Sequence, residues 1–172
     1  FDGRPLATIN ITSPGSSILL GNVDSDSSEE IVLGAGYVYD LATLENEWFF
    51  PSGFGQHLAL GDVDDDGISE ILASDSWGEP TLFSATLKSE LWSLENFNTC
   101  SLNSGNIDND PEDELLIGDC QWGTIKAYNS TKVAPTLSWS TSMIEHSSIS
   151  LTIGDVDNDG LNEVMWGSGI TS

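Results

Sequence analysis

The stretch Gly61-Asp62-Val63-Asp64-Asp65-Asp66-Gly67-Ile68-Ser69-Glu70-Ile71 returns almost letter for letter as Gly154-Asp155-Val156-Asp157-Asn158-Asp159-Gly160-Leu161-Asn162-Glu163-Val164. Two looser copies follow Gly21, with Asn22, Asp24, Asp26 and Glu30, and Gly105, with Asn106, Asp108, Asp110 and Glu114. Counted from the residue after each glycine, oxygen-bearing side chains fall at positions 1, 3, 5 and 9, with an apolar residue at position 2. Short carboxylates alternating on a curled loop converge on one hard cation. The backbone carbonyl of position 7 (Ile68, Leu161, Ser28 or Glu112) adds a further ligand. Calcium suits such a set because it accepts about six to eight oxygens in flexible geometry. Magnesium, with its stricter octahedron, is the second choice, and no Cys/His cluster argues for zinc.

An EF-hand loop also begins D-x-D-x-D-G, but it continues to a Glu at position 12 and is flanked by helices. Here the acid stands at position 9 and Ile71-Leu72 or Val164-Met165 follows at once. Short β-prone runs on both sides, such as His57–Leu60 and Ile149–Ile153, predict strand–loop–strand. Gly67 and Gly160 supply the tight turn at position 6. Ser27 replaces that glycine in the first copy. In the third, Pro111 fixes φ near −65°, so its backbone must differ. The copies at 62 and 155 are therefore expected to be the stronger sites, and those at 22 and 106 degraded ones. The competing reading is of four solvated acidic turns.

The blade glycines at 21, 61, 105 and 154 are spaced by 40, 44 and 49 residues, a length that holds about four short strands. In the first unit the strands are expected at 17–23, 30–34, 37–41 and 47–50. Trp48, Trp92 and Trp139 each fall in a fourth strand, as filler between units. The pattern G-[DN]-[VI]-D-x-D-G-x-x-E-[ILV] at this period resembles the FG-GAP/VCBS repeat family, with Glu in place of Asp at position 9 as a departure. The resemblance covers nearly the whole chain. It implies an all-β fold, a β-propeller segment of four-stranded antiparallel blades stabilised by calcium, as in integrin α-subunit heads and many secreted bacterial proteins and lectins. The expected units are 1–12 as a strand of a preceding blade, 16–50, 56–94 and 98–141 as full blades, and 147–172 as a partial one. Open blade edges and repeats in need of neighbours suggest a piece of a larger propeller, seven-bladed by family analogy, with a closed four-bladed ring as the alternative. The chain opens at Phe1 with neither Met nor a signal sequence, which fits a mature product or an excised piece.

Composition narrows the partners. With 28 acids against 4 bases, the formal net charge of −24 argues against nucleic acid and anionic membranes. Four calcium ions would offset a third of it. No apolar run is long enough for a membrane-spanning helix. Cys100 and Cys120 lie ten residues either side of Asp110. In a hairpin centred there they would face each other, as a disulfide in a secreted or cell-surface protein or as two buried thiols. Asn10-Ile11-Thr12 and Asn129-Ser130-Thr131 are glycosylation sequons.

If the acidic loops open on one face, function is expected on the other. Tyr37, Trp77 and Trp122 fall at matching offsets from their blade glycines, with Asp75 and Asp119 just before the two tryptophans. Aromatic and carboxylate side by side suit a sugar ring and its hydroxyls. The bland alternative is packing between blades. Phe54, His57 and Phe97 are expected near the same rim. Catalytic signals are thin: His57 and His146 are the only histidines, G-x-S-x-G is absent, and the paired carboxylates that would suggest glycosidase chemistry sit in the acidic loops. The expectation is a binding or adhesion module for a glycan or protein. The alternatives are a polysaccharide-active lyase or hydrolase built on the same propeller, or a structural spacer in a large surface protein.

Overall fold

The computed structural model describes residues 8–11, 15–108, 110–143 and 147–169. The first three sheets are antiparallel, four-stranded and wound in sequence order: β1 to β4 (Ile18–Gly21, Glu30–Leu33, Tyr37–Asp40, Asn46–Phe49), β5 to β8 (His57–Gly61, Glu70–Ser74, Thr81–Ser84, Ser89–Ser93) and β9 to β12 (Thr99–Gly105, Glu114–Asp119, Ile125–Ser130, Pro135–Ser140). The fourth is the hairpin β13 (Ser147–Gly154) and β14 (Glu163–Gly169). The chain is all-β, a row of propeller blades, and the strands expected for the first blade are found within one or two residues. The expected leading strand at 1–12 lies largely outside the described residues, and 8–11 carry no regular structure. Among the described residues no helix is long and apolar enough to cross a membrane.

The core lies between the blades. Strand β6 is buried along its whole length, so its side chains serve two neighbours by the two-residue alternation of a strand. Ile71 and Ala73 join Val32, Val38 and Trp48 of the first blade, with Phe54 and Phe83. Leu72 points the other way, to Leu115, Ile117 and Tyr128 of the third. Trp48 is buried at 7% exposure, whereas Trp139, facing the two-stranded fourth sheet, is 42% exposed. First strands of successive blades pack side by side along the inner edge. Their approach explains the blade glycine: a Cβ on Gly61 would stand 1.9 Å from Ser104 Oγ.

Cys100 and Cys120 are joined in a disulfide, but not as direct cross-strand partners. The β9–β10 register pairs Gly105 with Glu114, so the hairpin is centred ahead of Asp110. Then it shifts, with Gly118 opposite Ser101 and Asp119 opposite Thr99. Cys100 is the extra residue of that bulge, and this brings its Cα to 4.8 Å from that of Cys120.

Candidate metal centres

Each acidic loop connects the first and second strands of a blade, so all four open on one face. Loops 62–70 and 155–163 share one backbone. Position 4 has positive φ (Asp65 at 54°, Asn158 at 62°), as does position 6 (Gly67 at 83°, Gly160 at 94°). The position-1 carboxylate closes the curl. Asp62 accepts from Asp66 N (3.1 Å) and Gly67 N (2.7 Å), and Asp155 from Asp159 N (3.1 Å) and Gly160 N (3.0 Å). Asp157 also accepts from Asp159 N at 3.2 Å. The position-5 carboxylate then accepts from position 7, Asp66 from Ile68 N and Asp159 from Leu161 N, both at 2.9 Å. Loop 22–30 keeps negative φ at Ser25 and Ser27, and its ladder runs through Asp24 to Asp26 N (2.9 Å) and Asp26 to Ser28 N (2.6 Å). In loop 106–114 Pro111 has no N–H to give, and Asp110 N bonds Asp108 Oδ1 at 2.9 Å.

The glutamate at position 9 reaches back to the start of its own loop. Glu30 accepts from Val23 N at 2.7 Å, Glu114 from Ile107 N at 2.9 Å and Glu163 from Val156 N at 2.9 Å. The longer side chain thus spans the loop neck that the apolar position 2 anchors. Glu30, Glu70 and Glu114 are buried at 0–1% exposure. Burial pushes their carboxyls above the usual range, Glu70 to about 7.

These glutamates leave oxygens over. Eight buried side-chain oxygens among the described residues have no hydrogen-bond partner, and all but Thr99 Oγ1 lie in or beside the acidic loops. Around loop 22–30 they are Asn22 Oδ1, Glu30 Oε1 and Glu47 Oε2. Around loop 106–114 they are Asp110 Oδ1, Glu114 Oε1 and Asn129 Oδ1. Glu70 Oε2 is the seventh. Carboxylate and amide oxygens converge with no donor to meet them, which is the donor set of a hard cation. Ligand atoms of Asp24, Glu30 and Glu47, of Asp26, Glu30 and Asp40, of Asp62, Asp64 and Asp66, of Asp108, Asp110 and Glu114, and of Asp155, Asp157 and Glu163 lie within 4.8 Å of one another in each group. The residues present therefore fit calcium at loops 22–30 and 106–114, where the sequence pattern is weakest.

Glu47, Asp40 and Asn129 were not legible as members. Glu47 comes from β4, and its carboxyl is pushed to about 6 by burial and by the charge of Asp24. Asp40 ends β3, and hydrogen bonds from the Thr43 hydroxyl and the Thr43 N–H hold its carboxyl below the usual range. Asn129 is no open sequon: its Nδ2 donates to Asp110 at 3.4 Å and its Oδ1 is buried.

Loop 62–70 already holds a cation. Lys132, in the β11–β12 turn of the third blade, places Nζ 2.7 Å from Asp66, 3.1 Å from Asp64 and 3.3 Å from Glu70. Burial pulls the ammonium down, but hydrogen bonds to Asp66 and Asp64 and the charge of Glu70 outweigh it and hold the group above its ordinary value. Those hydrogen bonds in turn lower Asp66. Lys132 is 62 residues from Glu70 in the chain, so no local pattern could reveal it.

The opposite face carries the predicted aromatics, but not as one surface. Tyr37 stacks on Phe49 with centroids 4.5 Å apart, and both line a cleft of about 240 Å³ with Pro51, Gln56 and Asp75, where the first and second blades meet. Trp77 (56% exposed) and Trp122 (46% exposed) sit in turns away from this cleft. Asp119 accepts from Gln121 N and Trp122 N and so shapes its own turn. Phe54 and Phe97 are core residues, at 5% and 7% exposure, not rim residues. His57 pairs with Ser76 Oγ at 3.0 Å, and His146 lies outside the described residues.

No protein-family model matches the chain, and no curated protein matches it. Among solved structures, the chain is similar to the crystal structure of the exotype rhamnogalacturonan lyase YesX, with a TM-score of 0.66 and 15% sequence identity over 90% of this chain and 38% of that one. The chain thus spans well under half the length of that structure, and at this identity the likeness is one of fold.

Proposed function

We propose that the chain is a calcium-stabilised propeller segment, FG-GAP/VCBS-like in its loops, that serves as an extracellular binding module. The observation that supports it most is the convergence of seven partnerless buried oxygens on the acidic loops. One face then belongs to metal and structure, and recognition falls to the other. There the Tyr37–Phe49 stack beside Asp75 and Gln56 offers an aromatic plate with polar groups at its edge, which suits a sugar ring. Calcium supplies charge neutralisation. The chain's own carboxylates hold the loop shape, and Glu30 and Glu114 tie each loop neck to its second strand. The Cys100–Cys120 bridge accords with an oxidising compartment. Further blades, from a parent chain or a second copy, would cover the apolar outer face around Ile18, Leu33 and Leu41.

A second reading is the propeller part of a polysaccharide lyase, favoured by the likeness to the rhamnogalacturonan lyase. One experiment separates the two. Immobilised plant and bacterial polysaccharides are presented to the protein and to Tyr37→Ala and Asp75→Ala variants, and retention and chain cleavage are both measured. The module reading expects retention without cleavage, weakened about tenfold or more by either variant. Cleavage by the wild type favours the lyase, and retention unchanged in both variants removes the cleft from consideration.

A further inference from the structure

Loops 62–70 and 155–163 have the same backbone, and among the described residues only the first has its carboxylates met by a lysine from another blade. The Lys132 ammonium takes the carboxylates of positions 3, 5 and 9, three of the four side chains a divalent ion would draw on. Its turn is also fixed to the second blade. Thr131 Oγ1 accepts from Val133 N and Ala134 N at 3.2 Å, and Thr131 O accepts from Trp92 Nε1 at 3.0 Å. Among the described residues the partnerless buried oxygens number three beside each of loops 22–30 and 106–114, one at loop 62–70, and none at the exposed loop 155–163.

We propose that Lys132 is the resident cation of loop 62–70, a tethered ammonium in the place of a divalent ion. The two are mutually exclusive. A calcium ion held by these oxygens at about 2.3–2.6 Å would lie against Nζ, which is 2.7–3.3 Å from the same three side chains. Loop 62–70 therefore stays closed, and joined to the third blade, whether or not calcium is present. In expecting calcium elsewhere, this inference rests on the function proposed above.

The test is the number of calcium ions bound, counted by native mass spectrometry and by equilibrium dialysis with calcium alone, for the wild type, Lys132→Met, Asp64→Asn and the double variant. The expected result is one more ion in Lys132→Met than in the wild type, an unchanged count in Asp64→Asn, and loss of the extra ion in the double variant. Equal counts in the wild type and a folded Lys132→Met overturn the proposal. So does loss of one ion in Asp64→Asn, a result readable even if Lys132→Met fails to fold. A wild type that binds no calcium while Lys132→Met binds one defeats the calcium reading of the other loops and upholds Lys132.

Discussion

Glu47 and Glu70 are the carboxyls carried toward neutral pH in the calcium-free protein, where His57, lowered by burial, works in the opposite direction. Burial raises both carboxyls above their unfolded value, to about 6 and about 7. A raised carboxyl binds more protons folded than unfolded, so the stability it contributes is complete below the ordinary carboxylate range and is lost as pH rises through the folded value. Asp40 and Asp66 are lowered and act only in the acid range, below that window. Thermal melts of calcium-free protein should therefore fall in midpoint from pH 5 to pH 8, and Glu47→Gln should flatten the part of that fall near pH 6. Calcium takes the deprotonated carboxylates, so the calcium-induced rise should grow over the same window. A calcium-free midpoint that climbs with pH would contradict the raised carboxyls that burial gives Glu47 and Glu70.

At the scale of single elements, two glycines separate two causes. At Gly67 there is open space around the Cβ position and φ is +83°, so Gly67→Ala should cost roughly 1–2 kcal/mol from backbone conformation alone. Gly61 has no such conformation but stands against Ser104, so Gly61→Ala should cost about 1–3 kcal/mol through overpacking. Ser104→Gly should recover much of the second loss and none of the first, as urea unfolding of the three single variants and the two doubles would show. Strands β1 to β4 were legible because alternation and turn residues are local. The disulfide pair was legible, but its register was not, because the bulge at Cys100 depends on how β9 meets β10. The acidic loops were ranked by their own letters. Their oxygens are satisfied or left over according to Lys132, Glu47 and Asn129, which arrive from other strands and turns.

Over the whole molecule, calcium should act on stability by mass action, each site adding about 2.7 kcal/mol at a hundredfold excess over its Kd. Melts in excess calcium should rise well above those in chelator, with magnesium giving much less. Glu114→Gln should reduce the rise more than Asp64→Asn does. No calcium-specific rise would leave the partnerless oxygens without a purpose. The same face holds the blades together by another route. Ser69 N donates to Asn22 O and Asp113 N to Asp62 O, each at 2.9 Å, and Asn162 Nδ2 donates to Asn106 O at 2.7 Å. Every joint runs from position 8 of one loop to the position-1 carbonyl of the loop before, and the first two use main-chain atoms on both sides. Side chains reinforce the joints: Asp113 Oδ2 accepts from Asp62 N at 3.1 Å, and the third joint is made by the Asn162 amide. At each joint the acceptor is the same position-1 carbonyl, so the fastening does not depend on the residue that stands there. A loop is then free to trade glycine for Pro111, or to borrow a lysine, without unfastening its neighbours.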